Sequence, residues 1–389
     1  MRIDDFDKEL VEGVQRFVSR EIEGRAEALE DSDAYPDAII AGMAEMGLFS
    51  IAIPPEYGGL GLSVSTYARI MEELAAGWAS LPSFINSHCS ASSILARHGT
   101  PEQKARYLPR MASGELRGAI ALTEPSAGSD LQAIRATARR TGEGGYRLKG
   151  GKVFITNGER ASVCVVLAKT PSLEPGGKDG ISLFILEKGM SGFTVGAHAR
   201  KLGFRQVDTT ELLFDDVELD AGQLVGGVEG KGLAQMLDAL ETGRIAIAAS
   251  AVGLSRSALN AATRYARERE AFGGPIAGHQ AVQSILADMA AKTVAARTLT
   301  LEAARMKDAG GRCDMIAGMA KLVAGETCGE VTLNCVRIHG GYGYVAGFPA
   351  ERYYREAPFY IVTEGTNEIQ KQIIARRLLN GDGHPWGLA

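Results

Sequence analysis

The segment Thr363-Glu364-Gly365-Thr366-Asn367-Glu368-Ile369-Gln370 places one carboxylate immediately before a glycine, where a loop should run into a helix. Gly365 lets the backbone approach a ligand without a Cβ in the way. Thr366 can cap the run Ile369, Ile373, Ile374 and Leu378, whose spacing predicts an amphipathic helix. Glu364 would then sit at a helix mouth, a geometry suited to a catalytic base, although the segment alone also reads as a capped helix start with an incidental acid. A second stretch, Leu122-Thr123-Glu124-Pro125-Ser126-Ala127-Gly128-Ser129-Asp130, closes a predicted strand with hydroxyls and a permissive glycine. Such a loop can turn backbone N–H groups toward a phosphate or a ring edge, and in isolation it also reads as a capped turn. Val153-Phe154-Ile155-Thr156-Asn157-Gly158 adds an aromatic ring and a hydroxyl at the end of another strand of the same sheet.

Three regimes must position these segments. Over residues 1–117 apolar side chains recur at helical intervals, as in Leu10, Val14, Phe17, Val18 and in Ile39, Met43, Met46, broken by the turn-rich Pro54-Pro55-Glu56-Tyr57-Gly58-Gly59-Leu60-Gly61. Over 118–228 short β-rich runs take over, including Tyr146–Leu148, Val153–Thr156, Val163–Ala168, Ile181–Leu186 and Thr210–Phe214. No long helix interleaves them, which disfavours a doubly wound nucleotide-binding sheet. Over 229–389 the helical period returns in long stretches (Ile245, Ala248, Val252, Leu259, Ala262; Val282, Ile285, Leu286, Met289; Met315, Met319, Leu322, Val323). Alanine at many facing positions would let these helices approach closely, as in a bundle, and leave surface for a partner subunit. The fold class is α+β: helices, a β unit, then a helical bundle.

Composition excludes several roles. With 389 residues, 45% hydrophobic and 23% charged, and a formal charge of -5, the chain resembles neither a disordered protein nor a basic nucleic-acid binder. Asp4, Asp5, Asp7 and Glu9 near the start argue against a secretory or transit peptide. The apolar stretch from Ile245 to Leu254 falls short of the roughly 18 residues a membrane span needs. The expectation is a cytoplasmic protein without membrane contact. Cys89, Cys164, Cys313, Cys328 and Cys335 form no CxxC pair, and the six histidines lack ligand spacing, so neither disulfides nor a metal is expected.

The order and spelling of five motifs resemble the acyl-CoA dehydrogenase family: TEPSAGSD at 123–130, VFITNG at 153–158, ERxAFG at 268–273, HGGYGY at 339–344 and TEGTNEIQ at 363–370. The resemblance covers nearly the whole chain. It implies an N-terminal helical domain, a β-barrel-like middle domain and a C-terminal four-helix bundle, with FAD between the last two. Carried over by position, Ile120, Leu122, Thr123, Gly128 and Ser129 line the isoalloxazine and its phosphate side. Phe154, Ile155 and Thr156 flank the ring, with Thr156 the hydrogen-bond partner at flavin N5. Arg269, Phe272 and Gln280 match a second cofactor patch that the family supplies from a partner subunit, Arg269 suiting the pyrophosphate because its charge is permanent. Gly340 and Gly341 match a turn near the adenosine half, and Arg337 stands where the family often has glutamine. Thr366 and Glu368 complete the implied cofactor set, and Ser129, Glu241, Arg244 and Gly365 the substrate set.

The implied reaction is α,β-dehydrogenation of an acyl thioester, with Glu364 removing the α-proton and hydride passing to flavin N5. Some family members carry the base on another helix, at the position filled here by Gly243, so this chain follows the branch typified by short- and medium-chain enzymes. Glu241, two residues away on a helix of 3.6 residues per turn, should face elsewhere than position 243. Thr363 stands where the family commonly has tyrosine, which would admit a wider, branched or cyclic acyl group. Arg355-Glu356 replaces the usual Arg-Asp. The stretch Ala79-Ser80-Leu81-Pro82-Ser83 lacks the arginine of glutaryl-type enzymes, which disfavours a dicarboxylic substrate. The family pattern further implies a homotetramer, a dimer of dimers, delivering electrons to an electron-transfer flavoprotein. The rival readings are a flavin oxidase or monooxygenase on the same fold, a dehydrogenase using an acyl carrier protein, and a non-catalytic acyl-thioester binding protein.

Overall fold

The computed structural model describes residues 5–32 and 34–380. Six helices come first: α1 (Asp5–Glu21), α2 (Ala26–Asp31), α3 (Asp37–Glu45), α4 (Val64–Gly77), α5 (Leu81–His98) and α6 (Pro101–Ala112). Their boundaries follow local chemistry. Ser63 caps α4 by accepting the Thr66 N–H at 3.1 Å. Thr100 and Gln103 form a reciprocal capping box that starts α6, with Pro101 in the first turn, where its missing N–H costs nothing.

The chain turns to strand at Gly118. Strands β1 (Gly118–Ala121), β2 (Thr137–Arg140), β3 (Tyr146–Thr156), β4 (Val163–Thr170), β5 (Gly180–Glu187), β6 (Phe193–His198) and β7 (Thr209–Leu219) make one mixed sheet. The order is β1-β4-β2-β3-β7-β6, with β5 paired to β4 and with parallel pairing of β1 and β2 to β4. The two runs expected at Tyr146–Leu148 and Val153–Thr156 are one strand. Register shifts between Leu148 and Gly150 and between Lys152 and Ile155 interrupt its alternation, so its halves look separate in the sequence. Strands β2 and β6 escape the alternation test because one is four residues ending in two arginines and the other is nowhere fully buried.

The helices that follow are α7 (Gly232–Glu268), α8 (Gln280–Asp308), α9 (Asp314–His339), α10 (Pro349–Glu356), α11 (Phe359–Val362) and α12 (Asn367–Asn380), with a two-residue hairpin, β8 (Glu270–Ala271) and β9 (Gly274–Pro275), between α7 and α8. Helices α7, α8 and α9 pack on one another, and α12 packs on α9. Small side chains set the spacing: Ala258, Ala262 and Ala266 of α7 meet Val331 and Cys335 of α9 in one buried cluster. The N-terminal domain closes on the same bundle, because a Cβ on Gly253 of α7 would fall 2.2 Å from the Glu72 carbonyl of α4. Helix α7 corrects one expectation, since its best 18-residue window has a mean hydropathy of 1.3 and passes a length-and-composition test for a span. With 72% of that window buried in protein, it is a core helix.

A buried histidine joins the first two domains. His88 Nδ1 accepts the Gly118 N–H at 3.0 Å, so Nε2 must carry the proton it donates to the Phe49 carbonyl at 2.8 Å. Burial pushes its pKa down to about 4. A histidine kept neutral in the native state adds stability above its unfolded pKa, near 6.5, and loses it as pH falls toward the folded value. Thermal midpoints measured from pH 7 to 4 should therefore drop more steeply in the wild type than in His88→Gln, although the variant is the less stable protein at neutral pH.

Candidate active site

Glu364 lies in the link between α11 and α12 with a backbone φ of +53°, and Gly365 follows at +83°. A left-handed non-glycine residue costs on the order of 1 kcal/mol or more, so the surroundings must hold it there. Buried Gln370 donates to the Gly365 carbonyl at 2.8 Å and to the Glu364 carbonyl at 3.3 Å. Buried Lys321 of α9 donates to the Ile361 carbonyl at 2.8 Å and to Asn367 Oδ1 at 2.9 Å. Thr366 caps α12 through the Ile369 N–H at 3.4 Å, as its spacing suggested.

The carboxylate points at α7. A Cβ on Gly243 would lie 2.9 Å from Glu364 Oε2 and 3.1 Å from its Cδ, so the missing side chain is the space the carboxylate occupies. Asn86 Nδ2 of α5 reaches Oε1 at 3.3 Å, while Oε2 is buried without a partner. The residue is only partly covered, but its carboxylate is desolvated. Burial raises its pKa, against the opposing pull of Arg244, the Asn86 hydrogen bond and Lys321. Arg244 is itself buried, with its Nε unpartnered. Glu241 turns away as the helical period requires, its Oε2 taking Lys307 at 2.7 Å and the Cys313 thiol at 3.3 Å.

On the sheet side, Glu124 of TEPSAGSD has a structural task. Its carboxylate accepts the Arg135 and Ala136 N–H groups at 2.6 and 3.0 Å and the Lys152 ammonium at 2.7 Å. Lys152, wholly buried, also donates to the Leu122 carbonyl at 2.9 Å. Burial alone would raise the Glu124 pKa, but Lys152 and the two N–H groups outweigh it and hold it low. The loop is thus pinned while, among the described residues, the hydroxyls of Thr123, Ser129 and Thr156 find no hydrogen-bond partner. Phe154 stands at the β3 bulge with φ +59° and 68% of its surface exposed, a ring held where the protein itself gives it nothing to pack on. Ile155 is different: its side chain is 3% exposed in the β core, so it can offer a cofactor only its backbone. One stretch of α5 ties this half to Glu364. The Phe84 carbonyl accepts from Asn157, Ser87 Oγ accepts the Ile120 N–H and lies 3.4 Å from the Thr156 carbonyl, and Asn86 touches Glu364.

Comparison with known proteins settles the lineage. Three family models match in sequence order: acyl-CoA dehydrogenase N-terminal domain over 4–115, middle domain over 119–217 and C-terminal domain over 230–379. The chain belongs to the acyl-CoA dehydrogenase family. It is 42% identical over 369 residues to an acyl-CoA dehydrogenase of Bacillus subtilis, covering 95% of this chain and 96% of that one. Its fold matches butyryl-CoA dehydrogenase from Megasphaera elsdenii with a TM-score of 0.92 at 33% identity, covering 97% and 99% of the two chains. It matches equally well, at 0.92 and 38% identity over 97% and 99%, a chain solved in work on the electron transferring flavoprotein of Acidaminococcus fermentans and flavin-based electron bifurcation. The chain is thus a flavin-dependent oxidoreductase acting on acyl-CoA thioesters.

The remaining acyl-CoA dehydrogenase motifs form a second patch. Arg269 at the end of α7 makes no ion pair with Glu268 or Glu270 and instead lies 5.9 Å from the Tyr342 ring. With His339, Gly340 and Gly341 it lines a surface groove of about 440 Å³. Phe272 has φ +53° and 98% of its surface exposed, and Gln280 is exposed at the start of α8. Arg337 is exposed and donates to Asn334 Oδ1 at 2.7 Å, and Glu368 is exposed on α12. A flavin dinucleotide fits this set: free hydroxyls and a bare ring beside one loop, and a permanent cation with two side-chain-free glycines in a groove. Sequence reasoning missed Asn86, Lys152 and Lys321, whose tasks depend on neighbours far along the chain, and Gln370, which holds the link just before its own helix. Gly243→Ala should fold with stability within about 1 kcal/mol of wild type, because alanine suits a helix and the obstructing atoms end a flexible side chain. Substrate-driven flavin bleaching should nevertheless fall roughly 10- to 100-fold, since displacing a reacting group by about 1 Å is that costly. Paired thermal melts and stopped-flow bleaching would check this.

Proposed function

We propose that this chain oxidises a monocarboxylic acyl-CoA to the trans-2-enoyl-CoA, with FAD as its flavin and Glu364 as the base. The observation that carries this reading is the Glu364 carboxylate seated over Gly243 with Oε2 unpartnered. Oε1 is engaged by Asn86, so Oε2 is the atom free to take the α-proton. Desolvation raises the affinity of that carboxylate for a proton, which brings it closer to the task of a base acting on a weakly acidic carbon. The Glu364 N–H finds no hydrogen-bond partner among the described residues and can meet the thioester oxygen as enolate charge develops. Thr123, Ser129, Phe154 and Thr156 would hold the flavin ring and Arg269, Gly340 and Gly341 a dinucleotide end, on a neighbouring subunit in the family arrangement. The flavin, when bound, supplies the acceptor for the β-hydride.

The absence of arginine between Ala79 and Ser83, a stretch that is buried throughout, supports a substrate without a distal carboxylate. Thr363 turns its hydroxyl back to the Phe359 carbonyl at 2.8 Å, which leaves a small side chain beside the base and supports a wide acyl group. The match to a chain solved in work on an electron transferring flavoprotein supports such a protein as the electron acceptor. A homotetramer in the cytoplasm completes the proposal.

Glu364→Gln keeps size and packing but cannot accept a proton. It should retain FAD and acyl-CoA binding while anaerobic bleaching slows by roughly 100- to 10,000-fold or more. Bleaching within a few-fold of wild type would place the base elsewhere. Arg269→Ala should lose FAD and oligomeric state together on dilution, since binding and association are linked. Flavin absorbance and light scattering across a dilution series measure both, and a fully flavinylated monomer would contradict the shared site.

A further inference from the structure

Among the described residues the Glu364 carboxylate has one hydrogen-bond partner, Asn86, and that partner is itself held. Asn86 is almost completely buried on α5, and its Oδ1 accepts the hydroxyl of Tyr67 on α4 at 2.9 Å. The orientation of the amide follows from its neighbours. An ionised carboxylate can only accept, so the Asn86 NH2 must face Glu364, and the tyrosine hydroxyl must donate to the remaining oxygen. Flipping the amide would set its oxygen against a carboxylate and leave two acceptors in contact. We propose that Tyr67 and Asn86 are a positioning pair for the base: the phenol locks the amide so that its N–H holds Glu364 Oε1 and leaves Oε2 free for the α-proton.

The pair acts on a carboxylate that is otherwise poorly supported. The titratable and charged groups facing it are Arg244 on α7, Lys321 on α9 and Tyr67 on α4, with Cys89 of α5 against Tyr67 and Glu241 opposing across Arg244. None of the cations bonds the carboxylate directly. Lys321 is committed to Ile361 and Asn367, and Arg244 forms no ion pair. Buried Tyr67 stays protonated, its pKa raised far above the ordinary value first by desolvation, so it remains a donor throughout the working range. The inference rests on Glu364 being the base.

The test uses the flavin-loaded enzyme and two conservative variants. Asn86→Leu removes the donor at nearly constant volume, and Tyr67→Phe removes only the hydroxyl that locks it. Anaerobic bleaching rates followed from pH 5 to 10 should show the acid limb of Asn86→Leu displaced upward by about one pH unit, a tenfold change in proton affinity. The rate below the midpoint then falls about 10-fold, recovering at high pH to within a few-fold of wild type. Tyr67→Phe should move the limb the same way by less. A second readout needs no turnover. The folded pKa of Glu364 is raised, so its stability contribution is present at low pH and lost as pH rises through the folded value. Asn86→Leu should deepen that alkaline loss in thermal melts, and the difference should vanish in a Glu364→Gln background. A uniform rate loss with an unmoved midpoint in both variants would overturn the proposal while leaving Glu364 as the base. Persistent bleaching in Glu364→Gln alone would instead remove the base assignment on which it rests.

Discussion

A carboxylate must be kept charged and aimed in a place from which water has largely been removed, and much of the surrounding structure answers to that constraint. Its own helix gives Glu364 no support, because it lies in a left-handed link. The support comes from three directions: Gln370 on the following helix, Lys321 on α9, and the vacancy at Gly243 on α7. Each is a buried polar group or an absent side chain, which are costly or informative features in a core otherwise built from alanine and branched aliphatics. A buried lysine spent on two backbone-proximal oxygens, its pKa pulled down to about 8 chiefly by desolvation, is a structural strut for the loop.

Helix α5 explains how a site split between a sheet and a bundle stays in register. Within five residues it contacts Asn157 just past β3 through Phe84, β3 and β1 through Ser87, β1 again through His88, and Glu364 through Asn86. A shift of α5 would therefore move the strand-end loops and the carboxylate together, preserving the relation between them. The sheet end is stiffened independently by the buried Lys152–Glu124 pair. Each member of that pair has further hydrogen bonds, the condition under which a buried ion pair holds geometry and not merely charge.

The exposed aromatic rings carry the complementary message. Phe154 and Phe272 are both left-handed and both bare in a single chain, although apolar side chains of that size are normally covered. Strain and exposure at the same residue make sense where another molecule supplies the missing contact. The same holds for Arg269, a cation without a counter-charge in the groove beside Gly340 and Gly341.

The three regimes of helix, sheet and helix were legible in the sequence because periodicity is a local property, and so was the seat of Glu364 at a helix mouth, because the motif around it encodes its own turn and cap. The absence of a side chain at Gly243 could also be read, though not that the carboxylate fills that space. What tertiary structure alone decided are the groups that hold the base. Asn86 stands 278 residues from Glu364 and sits on a helix whose buried face is full of Ser, Asn and His, so apolar periodicity assigns it no role. Tyr67, Lys152 and Lys321 likewise read as ordinary polar or aromatic positions in linear order. Their meaning is a hydrogen bond to a partner on another element, and linear order carries no record of which elements will be brought within 3 Å of one another.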